Sequence, residues 1–212
     1  MKKYLAELIG TFALVLIGTG SMVLNEVYQT VGHLGISFSW GIVVTIMILL
    51  FGKISGAHIN PAVSISFAAT KLFDKKELLH YLFAQIIGAI LASLLLLILF
   101  PSSKLLGSTL PAGTWQQSFI IEFFLTFLLM LNILVFGQNK YLKKYTALIV
   151  GLTVGLEAYF AGPYTGASMN PARSMAPAIV SGNTQHLWLY IVATTLGALL
   201  ATFIWLQTKK IN

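Results

Sequence analysis

The stretch Ser55-Gly56-Ala57-His58-Ile59-Asn60-Pro61-Ala62-Val63-Ser64 returns later as Thr165-Gly166-Ala167-Ser168-Met169-Asn170-Pro171-Ala172-Arg173-Ser174. Both copies read Ser or Thr, Gly-Ala, two residues, Asn-Pro-Ala, one residue, Ser. Each is a helix start. Asn is a favoured N-cap, and Pro suits the first helical position because its missing N–H would be an orphan there anyway. Small residues ahead of each cap allow an extended, closely approached backbone. One Asn-Pro-Ala is only a cap. Two, in corresponding places of two halves, point to a paired site.

Composition says which solvent surrounds that site. Of 212 residues, 57% are hydrophobic and 9% charged, against roughly 25% charge in soluble domains. Too few polar groups exist to cover a globular surface, so the solvent is lipid. Cysteine is absent, which excludes disulfides, thiolate metal sites and thiol nucleophiles. No His or acidic cluster has metal-ligand spacing, and no Ser–His–Asp set stands out. Neither a metal, a cofactor nor an enzymatic activity is expected.

Six apolar segments suffice to span a bilayer, which takes roughly 20 residues. They lie at about 4–24, 34–52, 78–100, 116–136, 145–162 and 186–207. The first follows two lysines and is read as a retained span, not a cleaved signal. Shorter apolar stretches at about 60–69 and 170–179 follow the two Asn-Pro-Ala copies and read as re-entrant half-helices. The expected fold is an all-α membrane protein of six transmembrane helices and two half-helices.

The net charge of +7 raises the question of nucleic acid. The lysines answer it. Lys2, Lys3, Lys53, Lys71, Lys75, Lys76, Lys140, Lys143, Lys144, Lys209 and Lys210 fall on one side of a six-span topology; only Lys104 and Arg173 fall on the other. Lysines spread over short loops are topology signals, so no nucleic-acid partner is expected. They place both termini in the cytoplasm of a multi-pass protein of the cell membrane.

The two halves repeat. Glu7-x-x-x-Thr11-Phe12 returns as Glu122-x-x-x-Thr126-Phe127, and Gly88-Ala89-Ile90-Leu91-Ala92-Ser93 as Gly197-Ala198-Leu199-Leu200-Ala201-Thr202. The chain reads as a single channel domain, 1–212, built from repeats at about 1–110 and 111–212. Three spans per half invert the second repeat, so the half-helices enter from opposite faces and meet near the midplane. The small residues of the third and sixth spans let helices pack closely.

Six spans in inverted halves, each with a re-entrant Asn-Pro-Ala, resemble the aquaporin or major intrinsic protein family over nearly the whole chain. The run from Phe160 to Ser174 looks most like the plant nodulin-like intrinsic proteins and their bacterial relatives. The resemblance implies an aquaporin-like fold and a homotetramer with one pore per subunit. It implies that Glu7 and Glu122 accept backbone N–H groups of the re-entrant loops. By offset from the motifs, the family's narrowest point falls on Trp40, Ala158, Ala167 and Arg173. Strict water channels usually carry Phe, His and a small polar residue with the Arg, and glycerol channels Trp, Gly and Phe. Trp and Arg with two alanines are close to the nodulin-like Trp, Val, Ala, Arg set. Ser174, Ala178 and the Tyr190-Ile191 pair are not the glycerol-channel markers, so the filter looks wide while its flanks do not say glycerol.

Such a pore replaces lost hydration with fixed polar groups. The amides of Asn60 and Asn170, beside Pro61-Ala62 and Pro171-Ala172, can donate to a solute oxygen where both half-helix N-termini bring positive potential. That potential opposes protons and cations. Irregular backbone is tolerated at membrane depth only when buried or lining a wet cavity. The carbonyls of Gly56, Ala57, His58, Gly166, Ala167 and Ser168 can therefore form a ladder of acceptors. Arg173, the sole arginine, would donate to a solute hydroxyl. His58 reads as a packed ring holding its loop. Glu157, beside Ala158, reads either as support for the second loop or as an acid turned off the lumen-facing row.

The first functional reading is a passive channel for water and small uncharged solutes, such as glycerol-type polyols or metalloid acids. The alternative is a mainly water-selective channel. A secondary transporter also uses inverted repeats and broken helices, but beyond Glu157 the core offers few acids for a coupling ion.

Overall fold

In a computed structural model the structure describes residues 1–70 and 72–211, apart from the side chains of Lys210 and Ile211. Lys71 and the Lys210 side chain, both in the lysine count, lie outside the described residues. The helices in chain order are α1 (Lys2–Tyr28), α2 (Gly32–Phe51), α3 (Pro61–Ala69), α4 (Leu78–Leu99), α5 (Trp115–Gln138), α6 (Thr146–Thr165), α7 (Pro171–Ser181) and α8 (Leu187–Ile211). No strand occurs among the described residues. Six elements are long and apolar enough to cross a membrane; α3 and α7 are the two short ones.

The packing repeats by halves. Helix α1 lies on α4 and α5 on α8, while α2 meets α6 between the halves. The glycines of the third and sixth spans make these contacts close. A Cβ on Gly88 would collide with the Leu8 carbonyl, and one on Gly197 with the Phe123 carbonyl. Between α2 and α6, Gly41 faces the backbones of Gly151 and Gly155.

The outer surface is apolar. On α4, Leu79, Phe83, Ile87, Leu91, Leu94 and Ile98 are exposed at helical spacing, the stripe that a helix presents to lipid. Glu7, Gln85, Glu122 and Arg173 are fully buried instead. Polar groups withdraw to the interior because hydrocarbon offers them no partner.

Two boundaries differ from the sequence reading. Helix α6 continues to Thr165 with Pro163 inside it, where apolar patterning stops at 162. Proline removes one helical donor but does not have to end a helix whose freed carbonyl finds another. Helix α7 likewise runs through Pro177 to Ser181.

Candidate functional site

The two half-helices are capped as the Asn-Pro sequence demands. Asn60 Oδ1 accepts from Ala62 N at 2.9 Å, and Asn170 Oδ1 from Ala172 N at 3.0 Å. Proline follows each Asn at the first helical position.

The loops before the caps are not extended. Gly56, Ala57 and Ile59 have φ of 89°, 47° and 42°; Gly166, Ala167 and Met169 have 81°, 45° and 54°. A non-glycine residue with positive φ is uncommon, and for β-branched Ile59 it is strained. The left-handed turns persist because a carboxylate over-determines each loop. Glu7 Oε1 and Oε2 accept from His58 N and Ile59 N at 2.9 and 2.7 Å. Glu122 Oε1 and Oε2 accept from Ser168 N and Met169 N at 2.8 and 3.0 Å. Successive N–H groups turned toward one anion form a nest. Turning them to the carboxylate leaves the loop carbonyls for other partners.

Some of those partners lie in the opposite half. Asn60 Nδ2 donates to Met169 O at 2.7 Å, and Asn170 Nδ2 to Ile59 O at 2.9 Å. An amide nitrogen carries two hydrogens, so each Asn keeps one donor beyond its cross-half bond.

A cavity of about 820 Å³ runs along this junction. Lys53, Lys143 and Lys144 line it, as do Asn60 and Asn170, and it reaches Trp40, Ala167 and Arg173. Gly56, Ala57, His58 and Ser168 border it as well. The Gly166 carbonyl instead faces Arg173 Nη2 at 3.3 Å. Arg173 Nη1 donates to Gly107 O at 2.7 Å, and Nη2 also approaches Met22 Sδ at 3.1 Å. The guanidinium carbon stands 4.9 Å from the Trp40 ring centroid, a cation–π distance. Arg173 Nε has no partner among the described residues. Ala158 does not border the cavity; it is buried in the cluster that holds Trp40.

His58 is packed between rings. Phe67 stacks on it at 4.8 Å, Phe73 and Tyr81 lie edge-on or tilted, and Nδ1 meets Ser64 Oγ at 3.1 Å. No cluster of His, Cys, Asp and Glu suited to a metal occurs among the described residues.

Glu157 does not support the second loop through hydrogen bonds. Both its oxygens are buried without a partner among the described residues. The donors it would need, Ser168 N and Met169 N, are taken by Glu122.

Several supporting roles were not read from sequence, where Tyr190 was named only in the Tyr190-Ile191 pair. Tyr81 and Tyr190 donate to the carbonyls of Ser55 and Thr165, at 2.8 and 2.9 Å. Each stands the same distance before its close-packing glycine, Gly88 or Gly197; that shared offset was the available signal. Gln85 Nε2 bonds Glu7 Oε2 at 2.8 Å and Ser64 Oγ at 2.9 Å. Gly107 and Met22, which hold Arg173, carry no such signal, because only tertiary folding brings them there.

A family model described as Major intrinsic protein matches residues 1–205. The chain belongs to the major intrinsic protein family. This major intrinsic protein is 39% identical over 208 residues to Nodulin-26 of Glycine max, covering 97% of the chain and 77% of that relative. It is 40% identical over 207 residues to a probable aquaporin NIP-type of Nicotiana alata, with the same coverage. The fold superposes on the X-ray structure of the aquaglyceroporin from Plasmodium falciparum with TM-score 0.86 and 24% identity, covering 96% of this chain and 94% of that one. It is a multi-pass membrane channel for water and small solutes, not an enzyme.

Proposed function

We propose that this major intrinsic protein conducts water and small uncharged polyols passively, with metalloid acids in the same size class. The observation that carries the reading is the junction of Asn60 and Asn170 on the cavity wall, each donating to the loop of the other half. Their remaining amide hydrogens can receive a solute oxygen. The N-termini of α3 and α7 add positive potential there, which opposes protons and cations. Trp40, Ala167 and Arg173 form the filter, and Ala158, in the buried cluster that holds Trp40, shapes it from α6: the indole is an apolar wall for carbon, and Arg173 faces hydroxyls. The free carbonyls of Gly56, Ala57, His58, Ala167 and Ser168 act as the acceptor ladder. Gly166, engaged with Arg173, serves the filter instead. Glu7 and Glu122 support the loops.

The chain works as one domain, 1–212, of two inverted repeats. It assembles as a homotetramer in the cell membrane, with both termini cytoplasmic. What supports that orientation is the lysine asymmetry.

The full burial of Arg173 and the near-complete burial of Trp40 favour a narrower, mainly water-selective filter as the second reading. Stopped-flow light scattering on proteoliposomes with water, glycerol, urea and arsenous acid in parallel separates the two. Glycerol flux well above that of empty liposomes supports the first reading. Water flux without glycerol flux supports the second.

A further inference from the structure

Helix α6 runs through Pro163. Proline has no N–H, so the carbonyl four residues earlier, on Tyr159, lacks its helical donor. That acceptor is left for another group to satisfy. Helix α2 supplies the donor: His33 Nε2 lies 2.6 Å from Tyr159 O. A carbonyl only accepts, so Nε2 carries a hydrogen in this bond. The imidazole also stacks on the Tyr159 ring, with centroids 5.1 Å apart and planes at 28°. Gly162 lies beside the ring, its Cβ position at van der Waals distance from His33 Cε1.

The neighbouring carbonyls are already served. Gly162 O accepts from Gly166 N at 2.9 Å, Tyr164 O from Ala112 N at 3.0 Å, and Thr165 O from Tyr190 Oη at 2.9 Å. His33 thus fills the one vacancy that the proline creates. Elsewhere the seam between α2 and α6 combines close glycine contacts at Gly41, Gly151 and Gly155 with apolar side chains of the cluster around Trp40. Among the described residues, His33 to Tyr159 is the hydrogen bond that crosses this seam. Its position matters because α2 carries Trp40, about two turns beyond His33, and α6 carries Ala158, directly before Tyr159.

We infer that His33 is a positioning residue for the filter: it replaces the donor lost at Pro163 and fixes α6 at Ala158 against α2 at Trp40. The inference rests on the reading of Trp40 as a filter wall, shaped by Ala158 of α6. It makes His33 and Pro163 a matched pair, since neither is needed in this form without the other.

A double-mutant cycle tests it, using full-length protein with His33→Ala, Pro163→Ala and both together. Two quantities are read: the ratio of glycerol to water permeability in proteoliposomes, and the melting temperature in detergent. In the parent, His33→Ala should raise the ratio several-fold, because α6 at Ala158 is no longer tied to α2 at Trp40, and lower the melting temperature by the loss of one net hydrogen bond. His33→Gln keeps an N–H donor at similar reach and should restore both values. With Pro163→Ala in place, residue 163 donates to Tyr159 itself, so adding His33→Ala should leave the ratio unchanged and lower the melting temperature by less, through the lost ring stacking alone. Equal effects of His33→Ala in the two backgrounds would overturn the inference, as would no effect in either. The filter reading fails by a different result, a glycerol-to-water ratio that ignores Ala158→His, while the melting cycle still reports on the bond.

Discussion

The amide of Asn60 donates to the carbonyl of Met169 at 2.7 Å, and Asn170 returns the bond to Ile59 at 2.9 Å. Each cap residue thus bonds the residue just before the other cap. The two half-helices are held tip to tip by side chains that also point at the cavity. Their capping and bridging roles use different atoms, Oδ1 and Nδ2.

Asn170→Asp separates those roles. The carboxylate still caps α7, because an oxygen still faces Ala172 N. It cannot donate to Ile59 O, and it places negative charge where the helix ends supply positive potential. The expected outcome is a measurable proton or Na⁺ leak in liposomes and a lower melting temperature. The lost bond and its unpaired carbonyl cost about 1–3 kcal/mol. Unchanged ion tightness and unchanged flux would make Asn170 only a cap.

The three buried acids should part company. Glu122→Gln turns an amide toward Met169 N, donor against donor, and leaves a buried N–H unsatisfied at about 1–3 kcal/mol. Its melting temperature should fall, and Glu7→Gln should behave likewise. Glu157 offers no bond to lose. A buried polar group without a partner is a cost, so Glu157→Leu should leave the melting temperature unchanged or raised. A fall as large as that of Glu122→Gln would reveal a partner for Glu157.

Much of this arrangement was legible in the chain. The caps, the six spans and the paired glutamates repeat between halves, and repetition turns weak local signals into a fold. The loops were less legible. Ala57, Ile59, Ala167 and Met169 have positive φ, which no local propensity favours; the carboxylates of Glu7 and Glu122 impose it from other helices. The cross-half bonds likewise depend on which residues meet in space. The end of α6 was less legible for the same reason: apolar patterning stops at 162, while the donor to the carbonyl freed by Pro163 sits on α2.

Orientation follows from lysine placement and can be measured directly. The chain has no cysteine, so a cysteine placed at Lys75 or at Ser102 would be the only thiol. Both positions are exposed. A membrane-impermeant maleimide added to intact cells should label position 102 and spare position 75. The reverse pattern would invert the topology.

The last prediction concerns the Trp40 wall. The indole lies directly on Gly18 of α1, where a Cβ would collide with ring atoms Cε3, Cζ3 and Cη2. The Arg173 guanidinium lies over the same ring, 4.9 Å from its centroid. Gly18→Ala therefore pushes the indole, which lines the cavity, away from α1. If Trp40 sets the filter's width, this one methyl should narrow it. A glycerol molecule must pass its carbon chain along the ring, while water needs less room. Glycerol flux should fall several-fold more than water flux. Ala158→His should act in the same direction from α6. Trp40→Ala should do the opposite, raising glycerol relative to water and weakening discrimination among polyols. Overpacking a tight contact also costs about 1–3 kcal/mol, so the melting temperature of Gly18→Ala will drop; the glycerol-to-water ratio within one liposome batch separates that loss from the filter effect. Equal falls in both fluxes would mean that Gly18→Ala only reduces the amount of folded channel, and Trp40 would then lose its place as the width-setting wall.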